Sequence, residues 1–263
     1  MIWRVRFRGG VRLECADWGG GGPPVVLLHG LAGYALEWSQ TAAWLSRTHR
    51  VLAPEQRGHG RSERRPGDVS RAAFVDDAAL WIEDIVSAPA VVVGQSLGGH
   101  TAFLLAARRP ELVRGLVVAE ATPEPDPGVR DQVGRWLDAW PVPFADTAAA
   151  ERHFGGGLRG RAWAQGLERR GDGLGPAFER GVMLAALYEL ESRGFWDEWA
   201  RVRCPALVMR AVSSGAPDIS ARMLAANPDA KLVEMHDAGH DLHLDQPEQW
   251  RSALAGFLRE VGG

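Results

Sequence analysis

The sequence predicts an α/β domain in which a mostly parallel sheet is covered on both faces by helices. Three observations carry that prediction. Short apolar runs rich in β-branched residues alternate with stretches of helix formers, a rhythm that implies right-handed crossovers. The 263 residues are enough for one such domain with an insertion. The stretch VVVGQSLGGH, Val91 to His100, sets Ser96 between Gly94 and Gly98 where an apolar run gives way to a helix-forming one, and in such sheets chemistry belongs at the carboxyl ends of the strands.

Taken in order, residues 2 to 8 and 11 to 17 alternate apolar and polar side chains around Gly9-Gly10, the pattern of an antiparallel hairpin. PVVLLHG, RVLAPEQRG, APAVVVGQS, VRGLVVAEA, PALVMRA and AKLVEMH then read as strands buried on both faces, each stopping where glycine or polar residues begin. Helix-like stretches lie near residues 36 to 47, 70 to 86, 97 to 108, 219 to 226 and 247 to 260. Ser96 falls on a strand-to-helix turn sharp enough to lift its Oγ out of the sheet edge, and glycines on either side remove side chains that would clash with the turning backbone. Residues 122 to 200 break the rhythm, because they open with TPEPDPG and separate two strands by far more than one crossover helix. The expected organisation is a core domain, 1–121 and 201–263, with a helical cap insertion, 122–200. Trp136, Trp140 and Trp163 are expected to line an apolar pocket under the cap, while at least half of the insertion's tryptophans, a set that includes Trp196 and Trp199, pack the cap onto the core.

Composition excludes several classes. A hydrophobic share of 46% and a charged share of 24% describe an ordinary globular protein. The net charge of −3, with arginines interleaved among acids, gives no footprint for nucleic acid or an anionic membrane surface. MIWRVRFRGG lacks the apolar core of a signal peptide and no window of about eighteen apolar residues occurs, so a cytoplasmic protein without a membrane span is expected. Two cysteines, Cys15 and Cys204, suit buried reduced thiols rather than a disulfide framework. No histidines show metal-ligand spacing such as H-E-x-x-H, and no metal or other cofactor is expected. The expected partner is a small-molecule substrate, and the oligomeric state has no signature.

Four motifs follow one another along the chain: HGLAG (His29 to Gly33), QRGHGRS (Gln56 to Ser62), GQSLGG around Ser96, and DAGHDLHLDQP (Asp237 to Pro247). In this order they resemble the α/β-hydrolase family, specifically its capped single-domain members, from LLHG to the end of the chain. The resemblance implies an α/β-hydrolase fold, with Ser96 as nucleophile and His240 as the base that removes its proton; an imidazole pKa near 6.5 suits that task. It also implies an oxyanion hole made by the backbone N–H groups of Leu31 and Leu97. His29 and His59 then take structural roles in their turns, His100 faces away from the site, and His243 stabilises its loop. His49, His153 and His236 have no motif context.

The carboxylate that orients His240 is less direct. Family members most often carry it after the strand PALVMRA, but here that loop reads VSSGAPDIS and its one acid, Asp218, is explained by helix N-capping. Some members place it after the preceding strand, where this chain has Glu120 in GLVVAEATPEP; an acid at the tip of an apolar strand is costly to bury without a partner. Glu120 is the expected acid and Asp218 the alternative. The function expected is a serine hydrolase that cleaves a carboxylic ester, lactone or thioester of a small-to-medium apolar substrate through an acyl-enzyme. Haloalkane dehalogenases and epoxide hydrolases are set aside because they carry Asp at the nucleophile position. A carbon–carbon bond hydrolase or cofactor-free haloperoxidase on the same three residues is the alternative chemistry, and a non-catalytic ligand-binding protein of this fold the alternative class.

Overall fold

The computed structural model describes residues 1–86 and 88–262. Strands β1 (Ile2–Arg8) and β2 (Val11–Gly19) form the expected hairpin, with Arg8 opposite Val11. There follow β3 (Pro24–Leu28), α1 (Ser39–Leu45), β4 (Arg50–Pro54), α2 (Arg71–Trp81), β5 (Ala90–Gln95), α3 (Leu97–Arg108) and β6 (Val113–Ala119). The insertion carries α4 (Val129–Asp138), α5 (Thr147–His153), α6 (Gly157–Gln165), β7 (Leu167–Arg170), β8 (Gly173–Pro176), α7 (Arg180–Ala186), α8 (Tyr188–Ser192) and α9 (Trp196–Trp199). The chain closes with β9 (Ala206–Ala211), α10 (Pro217–Ala226), β10 (Ala230–Met235), α11 (Leu242–Asp245) and α12 (Pro247–Glu260).

The main sheet has the order β1-β2-β4-β3-β5-β6-β9-β10. The β1–β2 and β2–β4 pairs are antiparallel and every pair from β4 to β10 is parallel. β3 and β5 are buried at every position, as a sheet covered on both faces requires. Their side chains alternate between two cores: Val26, Leu28 and Val92 meet Phe103 and Leu104 of α3 on one face, and Val25, Leu27, Val91 and Val93 meet Trp38 and Trp250 on the other. Each such side chain contributes about 1.5–3 kcal/mol by leaving water.

The glycines around Ser96 answer to backbone contact as well as to the turn. A Cβ on Gly94 would lie 2.1 Å from the Gly98 carbonyl oxygen, and one on Gly98 would lie 2.2 Å from that of Leu28. The first turn of α3 therefore rests directly on β5 and β3, and only glycine permits that approach.

Three local features differ from the sequence expectations. The stretch near 36 to 47 starts as a 3₁₀ turn, Ala35–Trp38, and the stretch near 70 to 86 ends as a π turn, Ile82–Val86. The insertion is not wholly helical, because β7 and β8 pair antiparallel through Leu167 to Pro176. That hairpin is fixed from outside: Arg64 forms an ion pair with Glu168, the Gly60 N–H donates to Ala177 O at 2.9 Å, and His59 bridges Phe178, so the QRGHGRS loop docks the insertion. Cys15 and Cys204 are free thiols, the first buried and the second half-buried. No helix among the described residues is long and apolar enough to cross a membrane.

Candidate active site

Ser96 follows β5 and caps α3 with φ 52° and ψ −117°, a left-handed backbone at a non-glycine residue. Its N–H donates to Ala119 O of β6 at 2.8 Å and its carbonyl accepts from the His100 N–H at 3.0 Å, so both sides of the turn are pinned. Leu97 then opens α3, where first-turn amides have no intrahelical acceptor and the helix dipole is positive. Leu31 follows the HG turn and, like Leu97 and Ser96, lines a cavity of about 960 Å³.

The loop after β10 brings His240 into the same cavity. Gln95 holds that loop by donating from Nε2 to His240 O at 2.9 Å, and Ser213 donates to Ala238 O at 2.8 Å. The imidazole Nδ1 meets Glu120 Oε2 at 3.4 Å. Glu120 sits at the tip of β6, again with a positive φ, 50°, and is buried, with 7% of its side chain accessible. Two donors fix the carboxylate besides the histidine: Ala211 N–H at 2.6 Å and Ser214 Oγ at 2.7 Å. Burial opposes its charge, but the bonds from His240, Ser214 and Ala211 outweigh that effect and hold its pKa below the usual value.

For His240 the balance runs the same way. Its side chain is 59% accessible because one face opens onto the cavity, while protein crowds the rest. Desolvation disfavours the cation, yet the hydrogen bond to Glu120 and the charges of Asp241, Glu120 and Asp245 raise its pKa above 6.5. Asp241 also lines the cavity, and Trp163 Nε1 donates to its Oδ2 at 2.8 Å. On the same helix as Trp163, Arg159 pairs with Asp245 Oδ1 at 3.2 Å, and Asp245 Oδ2 accepts from the N–H of Gly239, the residue before His240, at 2.9 Å.

Asp218, the alternative acid, is an exposed residue in the first turn of α10. Nor does it cap that helix: Ala216 is the N-cap and Pro217, with its fixed φ, starts the helix ahead of Asp218. Of the three pocket tryptophans, Trp136 and Trp163 line the cavity with ring centroids 5.6 Å apart and planes at 79°. Trp140 does not. It is 6% exposed and packs behind them, edge-on to Phe154 at 4.9 Å and Phe178 at 5.7 Å, in the insertion's own apolar cluster. Trp199 is fully buried against the core and donates to Met223 O, and Trp196 donates to Glu124.

His29 and His59 are sealed in their turns. His29 Nδ1 contacts Gly30 O at 2.8 Å and its Nε2 accepts from the Gln56 N–H at 3.0 Å; His59 Nδ1 contacts Arg57 O at 2.9 Å. His243 stacks on Trp38 at 4.0 Å. His100 departs from expectation, because its ring lines the cavity. Four residues separate it from Ser96, one helical turn, and that spacing was a signal for a shared face. Gln95 and Trp163, as a partner of Asp241, were also missed. Among the described residues no group of three His, Cys, Asp or Glu side chains is arranged to hold a metal ion.

A profile of the alpha/beta hydrolase family matches residues 25–253. The chain is 28% identical to a 2-(acetamidomethylene)succinate hydrolase of Mesorhizobium japonicum over 91% of its own length and 89% of the relative's. It is also 28% identical to the mouse sn-1-specific diacylglycerol lipase ABHD11, over 90% and 81% respectively. The solved structure of an E-2-(acetamidomethylene)succinate hydrolase superposes with a TM-score of 0.88 at 25% identity, covering 98% of this chain and 99% of the other.

Proposed function

The protein belongs to the alpha/beta hydrolase family of enzymes, and on that premise we propose that it is a serine hydrolase cleaving a carboxylic ester, lactone or thioester of a small-to-medium apolar substrate. The observation that carries the reading is the contact of His240 Nδ1 with Glu120, made in a cavity that also holds Ser96 on its left-handed turn. The apolar walls given by Trp136, Trp163, Val133, Leu187 and Leu190 support an apolar substrate body, and the relative named as a diacylglycerol lipase supports an ester bond.

With its Nδ1–H directed at Glu120, the imidazole presents Nε2 as a base. Nε2 takes the Ser96 Oγ proton as the oxygen attacks the substrate carbonyl, and Glu120 stabilises the imidazolium that results. The carbonyl oxygen becomes an oxyanion bound by the Leu31 and Leu97 N–H groups; a single donor of this kind is worth about 3 kcal/mol in the transition state. His240 returns the proton to the leaving group, and a water repeats the sequence to release the acid from Ser96.

A fluorophosphonate probe tests the assignment. The folded protein is expected to label on Ser96, and Ser96→Ala is expected to lose both labelling and turnover of short-chain nitrophenyl esters by at least about three orders of magnitude. Substantial turnover by Ser96→Ala places the nucleophile elsewhere, and failure of the folded protein to label favours a binding protein.

A further inference from the structure

A buried cation lies behind the cavity wall without the partners its burial demands. Arg71, at the start of α2, is 0% exposed. Its guanidinium stacks over the Phe74 ring at 4.0 Å, and Nη1 makes one long hydrogen bond, 3.4 Å, to Leu97 O. Nε and Nη2 have no hydrogen-bond partner among the described residues. Glu189, the carboxylate that offsets this charge, is engaged elsewhere: its Oε1 accepts from the Arg71 backbone N–H at 2.7 Å and its Oε2 pairs with Arg193 at 3.5 Å. Arg57 and Arg108 add like charge. An ion so placed is costly unless an anion approaches it.

His100 is the route by which one can. Its ring is 7% exposed, lines the cavity and packs on Phe103 at 5.0 Å and Phe195 at 5.6 Å. Nδ1 is sealed from solvent and has no hydrogen-bond partner among the described residues. Burial, and then the Arg71 charge, hold its pKa at about 3, so the ring is neutral. With Nδ1 sealed, we assign the ring proton to Nε2, the nitrogen left to face the cavity. The polar atom the ring offers the cavity is thus a donor, Nε2–H, and the Arg71 charge is near enough to act on the same ring. Of the five carboxylates that line the cavity, four already accept from protein donors: Glu37 from Tyr34 N–H, Glu120 from Ala211 and Ser214, Glu124 from Trp196 and Asp241 from Trp163; the fifth, Asp126, has its pKa raised by burial and by Glu191. His100 and Arg71 are donors left over.

We propose that His100, backed by Arg71, forms a subsite for a carboxylate carried on the acyl portion of the substrate. The proposal rests on the hydrolase reading above and adds an anionic end to an otherwise apolar acyl chain. One turn of α3, a rise of about 5.4 Å, separates His100 from Ser96, a span that an acyl group of about four or five carbons bridges.

The test compares nitrophenyl hemiglutarate with nitrophenyl pentanoate, equal in length and differing in the terminal carboxylate, together with direct binding of free glutarate and glutaramate followed by tryptophan fluorescence. The wild type is expected to favour hemiglutarate over pentanoate at least tenfold in kcat/KM and to bind glutarate more tightly than glutaramate. In His100→Phe and Arg71→Met both preferences are expected to fall about tenfold, with Arg71→Lys recovering part of the loss. Thermal melts establish that each variant is folded, and Arg71→Lys stands in if Arg71→Met is not. A wild type that prefers pentanoate, or preferences unchanged in both variants, overturns the subsite while leaving the hydrolase reading intact. Equal binding of glutaramate and glutarate overturns it as an anion site. Glutarate binding that depends on His100 in a protein that hydrolyses neither ester upholds the subsite and removes the hydrolase reading.

Discussion

Ser96 and Glu120 stand at the tips of neighbouring strands and share one unusual property, a φ of 52° and 50° respectively at residues that carry a Cβ. Such a backbone costs on the order of 1–3 kcal/mol and persists only where surrounding bonds over-determine it; here the Ser96 N–H is held by Ala119 O and the Glu120 N–H by Met209 O. The strain turns both side chains out of the sheet. Since the Glu120 carboxylate raises the His240 pKa, and His240 must be neutral to act as base, the acid limb of kcat/KM should lie above pH 6.5. Glu120→Gln removes that charge, so the limb should move to lower pH while kcat falls by about two to four orders of magnitude. Asp218→Asn should change neither, and the pH profiles of the two variants decide between them. Glu120 was legible because a carboxylate ending an apolar strand needs a partner. The Arg71 environment was not: one arginine among many in a sequence carries no mark of being sealed without a carboxylate, which only tertiary packing reveals.

The element that ties the insertion to the histidine loop is α6. Arg159 and Trp163, four apart on one face, meet Asp245 and Asp241, four apart around α11. The Arg159 pair is 41% accessible on the arginine side and is worth little alone. Trp163 matters more, because Asp241 is closely packed and, without the indole N–H, keeps a desolvated carboxylate unpaired beside His240. Trp163→Phe should lower Tm by about 2–4 °C and kcat about tenfold, and with Arg159→Met the losses should combine non-additively in a double-mutant cycle; additive losses with no change in kcat would separate α6 from the site. The inner strands β3, β4, β5, β6 and β9 were readable because nearly every position in them is buried, whereas AKLVEMH, expected to be buried on both faces, is the edge strand β10, with Lys231 and Glu234 exposed. The β7–β8 hairpin was not, since its strands are four residues long and LERR is highly charged; the Gly171-Asp172 turn signal was present, but the pairing rests on Arg64 and Gly60 of a distant loop.

At the scale of the whole molecule, burial of titratable groups sets a stability optimum. Burial lowers the pKa of His29, His100 and His243 to about 3 and of His59 to about 4. Between these values and 6.5 the unfolded chain binds more protons than the folded one, so their contribution is complete above pH 6.5 and is lost as pH falls. Glu37 and Glu55 act in the opposite sense: burial raises both, Glu55 to about 8, and stability drains as pH rises from 4.5 toward that value. Asp77, Asp126 and Asp241 are raised as well and act in the same sense as the glutamates, while the four histidines, all losing stability between pH 6.5 and about 4, set the fall on the acid side. Calorimetry should find the highest Tm at about pH 6–7 with a steep fall by about pH 5; a Tm flat from pH 4.5 to 8 would contradict the burial of these side chains. The insertion has a consequence on a longer timescale. It leaves after β6 and returns before β9, which are adjacent strands, so a lineage can lengthen, shorten or exchange it without breaking any pairing within the eight-stranded main sheet. Trp163 limits that freedom, because a replacement segment that brings no donor to Asp241 strands a charge next to the histidine. Among descendants of this chain, recombination within residues 122–200 should therefore be tolerated mainly where positions 163 and 241 change together, as a heritable pair.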